Sequence, residues 1–272
     1  MAVPMKDMVD RFAGSVPANY DRLMVPLKFR PYAEEMARRA VQLQPERILE
    51  TAAGTGVLTE ALHCALPEAQ IVATDLNQPM LDVAAGRLRS DNIQFLAADA
   101  LDLPFGDDGF DLVVCQFGAM FFPDKVRGHS EARRVLRDGG AYLLAIWDQI
   151  ERNTVSDMAQ RALIEQFPAD PPLFMREGPF GYSDAKQIEH DLRDAGFERV
   201  TMETVELRSR SSSAREAATA ICYGTPMGSE IEDRGPGSLE RVFERVVEAL
   251  VPFERANGFD APMAAHIVTA TK

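Results

Sequence analysis

The chain has 272 residues, 46% hydrophobic and 26% charged, which is a globular composition and excludes whole-chain disorder, collagen and coiled coil. Area scaling gives roughly 12,000 Å² folded against about 44,000 Å² extended, so a large core is available. A net charge of −13 disfavours nucleic acid and anionic lipid as partners, and no basic run offsets it.

Residues 1–44 read as polar helices interrupted by Gly14, Pro17, Pro26 and Pro31, with tight corners at VPANYD and VPLKFRPY. The leading MAVPMKDMVDRF lacks the apolar core of a signal peptide. No apolar run reaches the ~20 residues of a membrane span, so a cytoplasmic protein is expected. From Arg47 onward, strand-like runs alternate with amphipathic segments, as βα units demand. The strands are expected at 47–51, 70–75, 93–98, 111–117 and 141–147, mostly as continuous apolar runs suited to a parallel sheet covered on both faces.

Val57, Leu58, Ala61, Leu62 and Ala65 form one helical stripe; Pro79 opens another helix carrying Met80, Leu81, Ala84 and Leu88. A third helix ends over Arg133–Leu136, before the turn Asp138-Gly139-Gly140. The Pro-rich stretch within 148–182 reads as a surface loop over the sheet, 183–195 as a helix stopped by Gly196, and 198–207 as a strand. Residues 208–262 form an insertion whose Leu239, Val242, Phe243, Val246, Val247 and Leu250 follow helical spacing, and 263–272 close the chain as a last strand.

Cys64, Cys115 and Cys222 are too scattered for a disulfide framework, and His63, His129, His190 and His266 form no metal-ligand pair, so no metal is expected. His129 reads as structural and Cys115 as a small hydrophobe inside a buried strand. The informative segment is Ile48-Leu49-Glu50-Thr51-Ala52-Ala53-Gly54-Thr55-Gly56. Two glycines between a strand and a helix admit close backbone approach by a ligand and leave N–H groups at the helix start, although such turns also serve plain packing. A P-loop is excluded because Lys and Ser/Thr are missing after Gly56; a dinucleotide fingerprint is incomplete because Thr59 stands at its third glycine. Asp75 follows Gly56 by 19 positions and ends the second strand, where a carboxylate accepts the hydroxyls of a ribose; Asn77 competes for the alternative role of helix cap.

ILETAAGTG, ATDLNQPML, AADALDLPF, FDLVVCQF and EARRVLRDGGAYLLAIW stand in the order and spacing of class I S-adenosylmethionine (SAM)-dependent methyltransferases. The chain most resembles the ubiquinone/menaquinone-biosynthesis type of small-molecule methyltransferase. The resemblance covers about residues 45–147 and, more loosely, the strands at 198–207 and 264–270. It implies an α/β fold, a Rossmann-like doubly wound, mostly parallel sheet with a helical cap, and the cofactor SAM.

Position by position, the resemblance puts Glu50 near the methionine amino group and Thr51, Ala52, Ala53, Gly54, Thr55 and Gly56 around the methionine portion. Asp75 takes the ribose diol, Leu76 and Met80 flank the adenine, Asp99 accepts from its exocyclic amine, and Ala100 offers backbone to the ring edge. Gln116 and Phe117 meet the methionine end, and the Tyr20 hydroxyl reaches the cofactor carboxylate. Ala52 departs from the family's usual glycine; its methyl narrows the approach and is harmless only at negative φ.

Phe117, Phe121, Phe122 and Trp147 follow the fourth and fifth strands, where aromatic faces favour a sulfonium or line an apolar substrate pocket; core packing is the alternative for each. Phe29, Tyr223 and Met227 are further substrate-side candidates. The implied organisation is an N-terminal helical lid at 1–44, a SAM-binding core at 45–147, cap insertions at 148–182 and 208–262, and core elements at 183–207 and 263–272, the last strand running antiparallel beside 198–207. The expected partner is a small, largely apolar methyl acceptor; a homodimer is left open, and no catalytic residue or general base is identified. Two rivals stand beside this reading: a SAM-binding protein without methyl transfer, and an NAD-dependent oxidoreductase, for which Asp99 has no evident role.

Overall fold

The structure is a computed structural model that describes residues 16–272; MAVPMKDMVDRF and the break at Gly14 lie outside them. Its strands are β1 (Arg47–Glu50), β2 (Gln70–Asp75), β3 (Ile93–Ala97), β4 (Phe110–Gln116), β5 (Leu136–Trp147), β6 (Arg199–Ser211), β7 (Glu254–Arg255) and β8 (Gly258–Thr271). They form one sheet in the order β3-β2-β1-β4-β5-β8-β6, with β7 paired to β8. β1 pairs in parallel with β2 and β4, β2 with β3, and β4 with β5, whereas β8 runs antiparallel to β5. The α/β class and the mostly parallel Rossmann-like sheet expected from the sequence are what the chain adopts.

Apolar composition explains the centre of this sheet: Ile48, Leu49, Leu112, Val113, Val114, Leu143 and Leu144 are fully buried, as strands covered on both faces must be. β3, at the sheet edge, is only half-buried. Helices Val57–Ala65, Gln78–Arg87 and Lys125–Val135 fall between the parallel strands, and Ala185–Asp194 precedes β6. Because β1 has β2 on one side and β4 on the other, the strand order reverses at the carboxyl end of β1, the place where such sheets bind ligands.

Four expectations are corrected. The corners in 16–32 are continuous winding: Val16–Asn19 is α-helical, Tyr20–Phe29 is π-helical, and Arg30–Leu43 is α-helical. The wider turn accommodates Pro26, which removes an N–H and would clash within a regular α-helix. The turn Asp138-Gly139-Gly140 is a bulge inside β5, because Phe110 pairs with Leu136 and Leu112 with Ala141, looping out the residues between. The 148–182 stretch holds the helices Thr154–Gln166 and Phe174–Glu177 as well as loop. Val155, Ala159, Ala162 and Leu163 form the buried stripe of the former, with buried Ser156 and Gln160 interleaved so that the apolar period is blurred. Finally, β6 continues to Ser211, past the expected end of its strand.

The chain divides into two units. A sheet unit comprises Tyr32–Trp147, Tyr182–Val205 and Ala265–Lys272; a helical unit comprises the segment up to Pro31, Asp148–Gly181 and Glu206–Ala264. In the helical unit, Thr154–Gln166, Ala214–Tyr223 and Ser238–Leu250 pack on one another, and Tyr20–Phe29 packs on Ala214–Tyr223. Leu239, Val242, Phe243, Val246 and Leu250 are buried along Ser238–Leu250, as their spacing requires.

Candidate cofactor site

Glu50 ends β1 and is buried; its Oε2 accepts a hydrogen bond of 2.6 Å from the Thr59 hydroxyl. Both neighbouring strands hold the turn that follows. Thr51 N–H donates to the Val114 carbonyl of β4 and Ala53 N–H to the Thr74 carbonyl of β2, each at 2.9 Å. Asp75 then takes the backbone N–H of Gly54 on Oδ2 and that of Asn77 on Oδ1, both at 2.8 Å. Asn77, not Asp75, caps the helix Gln78–Arg87 through Oδ1 and the Met80 N–H. Asp75 is therefore the clasp between the glycine turn and the end of β2, and each carboxylate oxygen has a second lone pair to offer.

The two glycines serve different ends. Gly54 has φ +56° and Gly56 φ +80°, conformations costly for other residues. A Cβ on Gly56 would lie 2.9 Å from the Ala84 Cβ, so this position also lets two helices close up. A Cβ on Gly54 would meet only the Met80 Cε, at 3.6 Å. Ala52 adopts φ +54°, on the unfavourable side of the condition set by its sequence, and Phe117 adopts φ +55°. Such strain persists only where the surroundings impose it, and it clusters at functional sites. Here it occurs at the carboxyl ends of two adjacent strands, β1 and β4.

Around this turn, Leu76 is 42% exposed and Met80 is buried. Asp99 and Ala100 are half-buried just beyond β3, and Asp99 Oδ1 accepts from the Leu101 N–H at 2.9 Å. Gln116, half-buried, ends β4. Phe117 lies face to face on Trp147, with ring centroids 3.7 Å apart, and Tyr32 meets both edge-on at 5.3 and 5.5 Å. Phe121 is half-buried in the short turn Ala119–Phe121, and Phe122 packs against Gly128, where a Cβ would come within 2.5 Å of its ring.

Burial raises the Glu50 carboxyl to about 8; the Thr59 bond opposes the rise and the charge of Asp75 adds to it. Asp75 is also raised by burial, against the bonds from Asn77, Gly54 and Leu76. Two carboxyls so placed favour a cation between them. Thr55, beside them in the turn, buries a hydroxyl that has no hydrogen-bond partner among the described residues.

The remaining candidates belong to the helical unit. Tyr20 stacks on Phe29 at 5.1 Å, the Tyr223 hydroxyl donates to Glu240 at 3.2 Å, and Met227 is fully buried. Sequence reasoning overlooked three features: the bond from Thr59 to Glu50, the edge-on Tyr32, and a fully buried amine at Lys28. Spacing alone marks Thr59 only as a missing glycine, and Lys28 lies between Leu27 and Phe29 in an apolar run that invites no charge. His129 is buried in the sheet unit, its Nε2 3.4 Å from the Tyr182 hydroxyl, which donates to Asp191. Burial raises the Cys115 thiol to about 11, which keeps it from being a nucleophile. Among the described residues no cluster of three or more His, Cys, Asp or Glu is placed to hold a metal, and no helix is long and apolar enough to cross a membrane.

Strand order, glycine turn and the acidic residues closing β1 and β2 define a Rossmann-like sheet of the methyltransferase type. Comparison with known proteins agrees. Residues 48–140 match the methyltransferase domain family. The ubiquinone/menaquinone biosynthesis C-methyltransferase of Pseudomonas fluorescens (strain Pf0-1) is 31% identical over 206 residues, 69% of this chain and 80% of that protein. The demethylmenaquinone methyltransferase of Clavibacter sepedonicus is 42% identical over 108 residues, 39% of this chain and 43% of that protein. The chain spans about half the length of the first curated relatives it matches. Among solved structures, a SAM-dependent methyltransferase of Thermotoga maritima, a possible histamine N-methyltransferase by its description, superposes with a TM-score of 0.58 at 17% identity, over 98% of this chain and 99% of that one. The chain belongs to the class I SAM-dependent methyltransferase family, alongside the ubiquinone/menaquinone-biosynthesis enzymes.

Proposed function

We propose that the protein binds SAM at the glycine turn of its sheet unit and transfers the methyl group to a small, largely apolar acceptor. The observation that carries this reading is the pair of buried carboxyls, Glu50 and Asp75, joined through one glycine turn. SAM fits the donor set: an ammonium and a sulfonium for the carboxyls, ribose hydroxyls for Asp75, and a polar group for the buried Thr55 hydroxyl.

In this reading Glu50 meets the ammonium, and Thr51, Ala52, Ala53, Gly54, Thr55 and Gly56 enclose the methionine portion. Leu76 and Met80 flank the adenine, Asp99 and Ala100 read its edge, and Gln116 and Phe117 meet the methionine end. An apolar side chain left 42% exposed at Leu76 supports the adenine contact. Phe121 and Trp147, on the same unit, form the acceptor side. When bound, SAM supplies a methyl already activated by its sulfonium. The chain's own task is to hold the nucleophile in line and exclude water, and positioning of that kind contributes up to about 7–11 kcal/mol. The net charge and the biosynthetic names of the relatives support a cytoplasmic enzyme acting on small molecules rather than nucleic acid.

The test is calorimetric titration with SAM and S-adenosylhomocysteine, followed by SAM turnover with a panel of phenols, amines and carbon acids. Saturable binding, with S-adenosylhomocysteine formed only when an acceptor is present, is expected. Absence of binding overturns the reading, and binding without acceptor-dependent product reduces the protein to a SAM-binding one.

A further inference from the structure

Two threonines of the sheet unit hold Glu50. The Thr74 hydroxyl, from β2, donates to the Glu50 carbonyl at 2.9 Å, and the Thr59 hydroxyl donates to Glu50 Oε2 at 2.6 Å. Thr59 is the third residue of the helix Val57–Ala65 and is fully buried. A helical threonine commonly turns its hydroxyl back to the carbonyl three or four positions earlier. Here both of those acceptors are engaged. The Thr55 carbonyl takes the Arg87 guanidinium at 2.8 Å, and the Gly56 carbonyl takes the Glu60 N–H at 2.9 Å. The Thr59 hydroxyl reaches across to the end of β1 instead. A glycine at this position, as in dinucleotide-binding turns, serves close packing and has no side-chain hydrogen to give.

Among the described residues this is the only hydrogen bond to the Glu50 carboxyl, and it leaves Oε1 without one. Anchoring one carboxyl oxygen and the carbonyl of the same residue removes most of the rotamer freedom of the side chain before any ligand arrives. The bond is stronger to a carboxylate than to a carboxylic acid, so Thr59 favours the ionised form. It opposes burial, which raises Glu50 to about 8, and the charge of Asp75 at the end of β2, which adds to the rise. Cys115 on β4, raised to about 11 by burial, is the further ionisable group that acts on Glu50, and it is neutral there.

We infer that Thr59 is a positioning residue: its hydroxyl holds Glu50 Oε2 and presents Oε1 to a ligand ammonium, so that the site selects a thioether or sulfonium nucleoside with an α-amino group over one without. The inference rests on the cofactor reading for the identity of that ligand. It needs no space beside Thr59, which acts only through Glu50. When the ammonium arrives, the Glu50 O–H bond breaks, its electron pair stays on oxygen, the proton leaves to solvent, and the carboxylate faces the positive charge. Without the Thr59 hydroxyl the carboxyl yields its proton less readily and both of its oxygens can turn away. The amino group then loses its partner while the nucleoside keeps its own contacts.

The probes are S-adenosylhomocysteine and its desamino analogue, in which hydrogen replaces the α-amino group, titrated by calorimetry between about pH 6 and 8. Near neutrality wild type should bind S-adenosylhomocysteine at least about tenfold more tightly than the analogue, with an advantage that grows as pH rises toward 8. Thr59→Val keeps the branched shape and loses the hydroxyl. It should cut that advantage by about tenfold, leave the affinity of the analogue within about twofold, and move the rise to higher pH. Thr59→Ser should restore the selectivity and the pH profile of wild type. Unchanged selectivity in Thr59→Val overturns the inference. So does an equal loss of both ligands, which is the result of a merely structural role in the turn. Should Thr59→Val fail to fold, Thr59→Ala takes its place with the same expectations. Wild type that binds the two ligands equally overturns the inference and leaves the cofactor reading standing, whereas wild type that binds neither overturns both.

Discussion

The methyl of Ala52 occupies the space that a side chain at Gly118 would need: a Cβ built on Gly118 would lie 2.3 Å from the Ala52 Cβ. The turn after β1 and the turn after β4 therefore share one side chain's worth of room. That room is filled from the β1 side, by a residue at φ +54°.

The relationship predicts a double-mutant cycle. Gly118→Ala alone should destabilise by about 1–3 kcal/mol, since two methyls cannot share the space. Ala52→Gly alone should stabilise by about 0.5–1 kcal/mol, the relief of left-handed strain less the added chain entropy of glycine. Combined, they should lose much less than Gly118→Ala alone. Urea melts of the four proteins measure the coupling, and simple additivity would show that the two turns do not meet.

Asp75 closes the turn and, in the proposed function, also holds the ribose. Asp75→Ala should weaken S-adenosylhomocysteine by about 1.5–3 kcal/mol, or more than tenfold, and lower the melting temperature through loss of the Gly54 and Asn77 bonds. Calorimetry and thermal melts separate the effects: a lower melting temperature with unchanged affinity confines Asp75 to the structural role.

Glu50 gives a pH dependence of definite sign. The folded protein holds this proton up to about 8, whereas the unfolded chain releases it near 4.5, so between those values folding takes up a proton. Glu50 therefore contributes less to stability as pH rises from 4.5 to about 8, and Glu50→Gln should gain melting temperature over wild type at the upper end of that window but not at the lower. A ligand that sets an ammonium against Glu50 reverses the preference. S-adenosylhomocysteine affinity should climb with pH up to about 8 in wild type and lose this slope in Glu50→Gln.

His129 works in the opposite sense. Burial lowers it from 6.5 to about 4, with Asp191 opposing and Lys125 reinforcing the shift. The folded state then binds fewer protons than the unfolded one, so stability is fully present above 6.5 and is lost as pH falls toward 4. Thermal melts across this range should show His129→Gln falling less steeply than wild type; parallel curves would mean that the imidazole takes up its proton at the same pH in the folded and unfolded protein.

Much of the sheet unit was legible in the chain itself, because its central strands are fully covered and its information is local. β2 has its expected bounds, β1 and β3 end one residue earlier than expected, β4 both begins and ends one residue earlier, and Asn77 is the helix cap its position suggested. The glycine turn and Asp75 could be read as a ligand-binding pair because adjacent parallel strands bring the ends of β1 and β2 together.

Other features depend on neighbours that sequence spacing does not name. The sign of φ at Ala52 is set by bonds from β2 and β4, and the need for glycine at Gly56 by Ala84 on another helix. Lys28 and Ser156 are 128 positions apart, and their meeting is visible in neither segment. Period and composition record which face of an element is apolar; they do not record which buried polar groups find each other, because that is decided by the packing of elements distant in the chain.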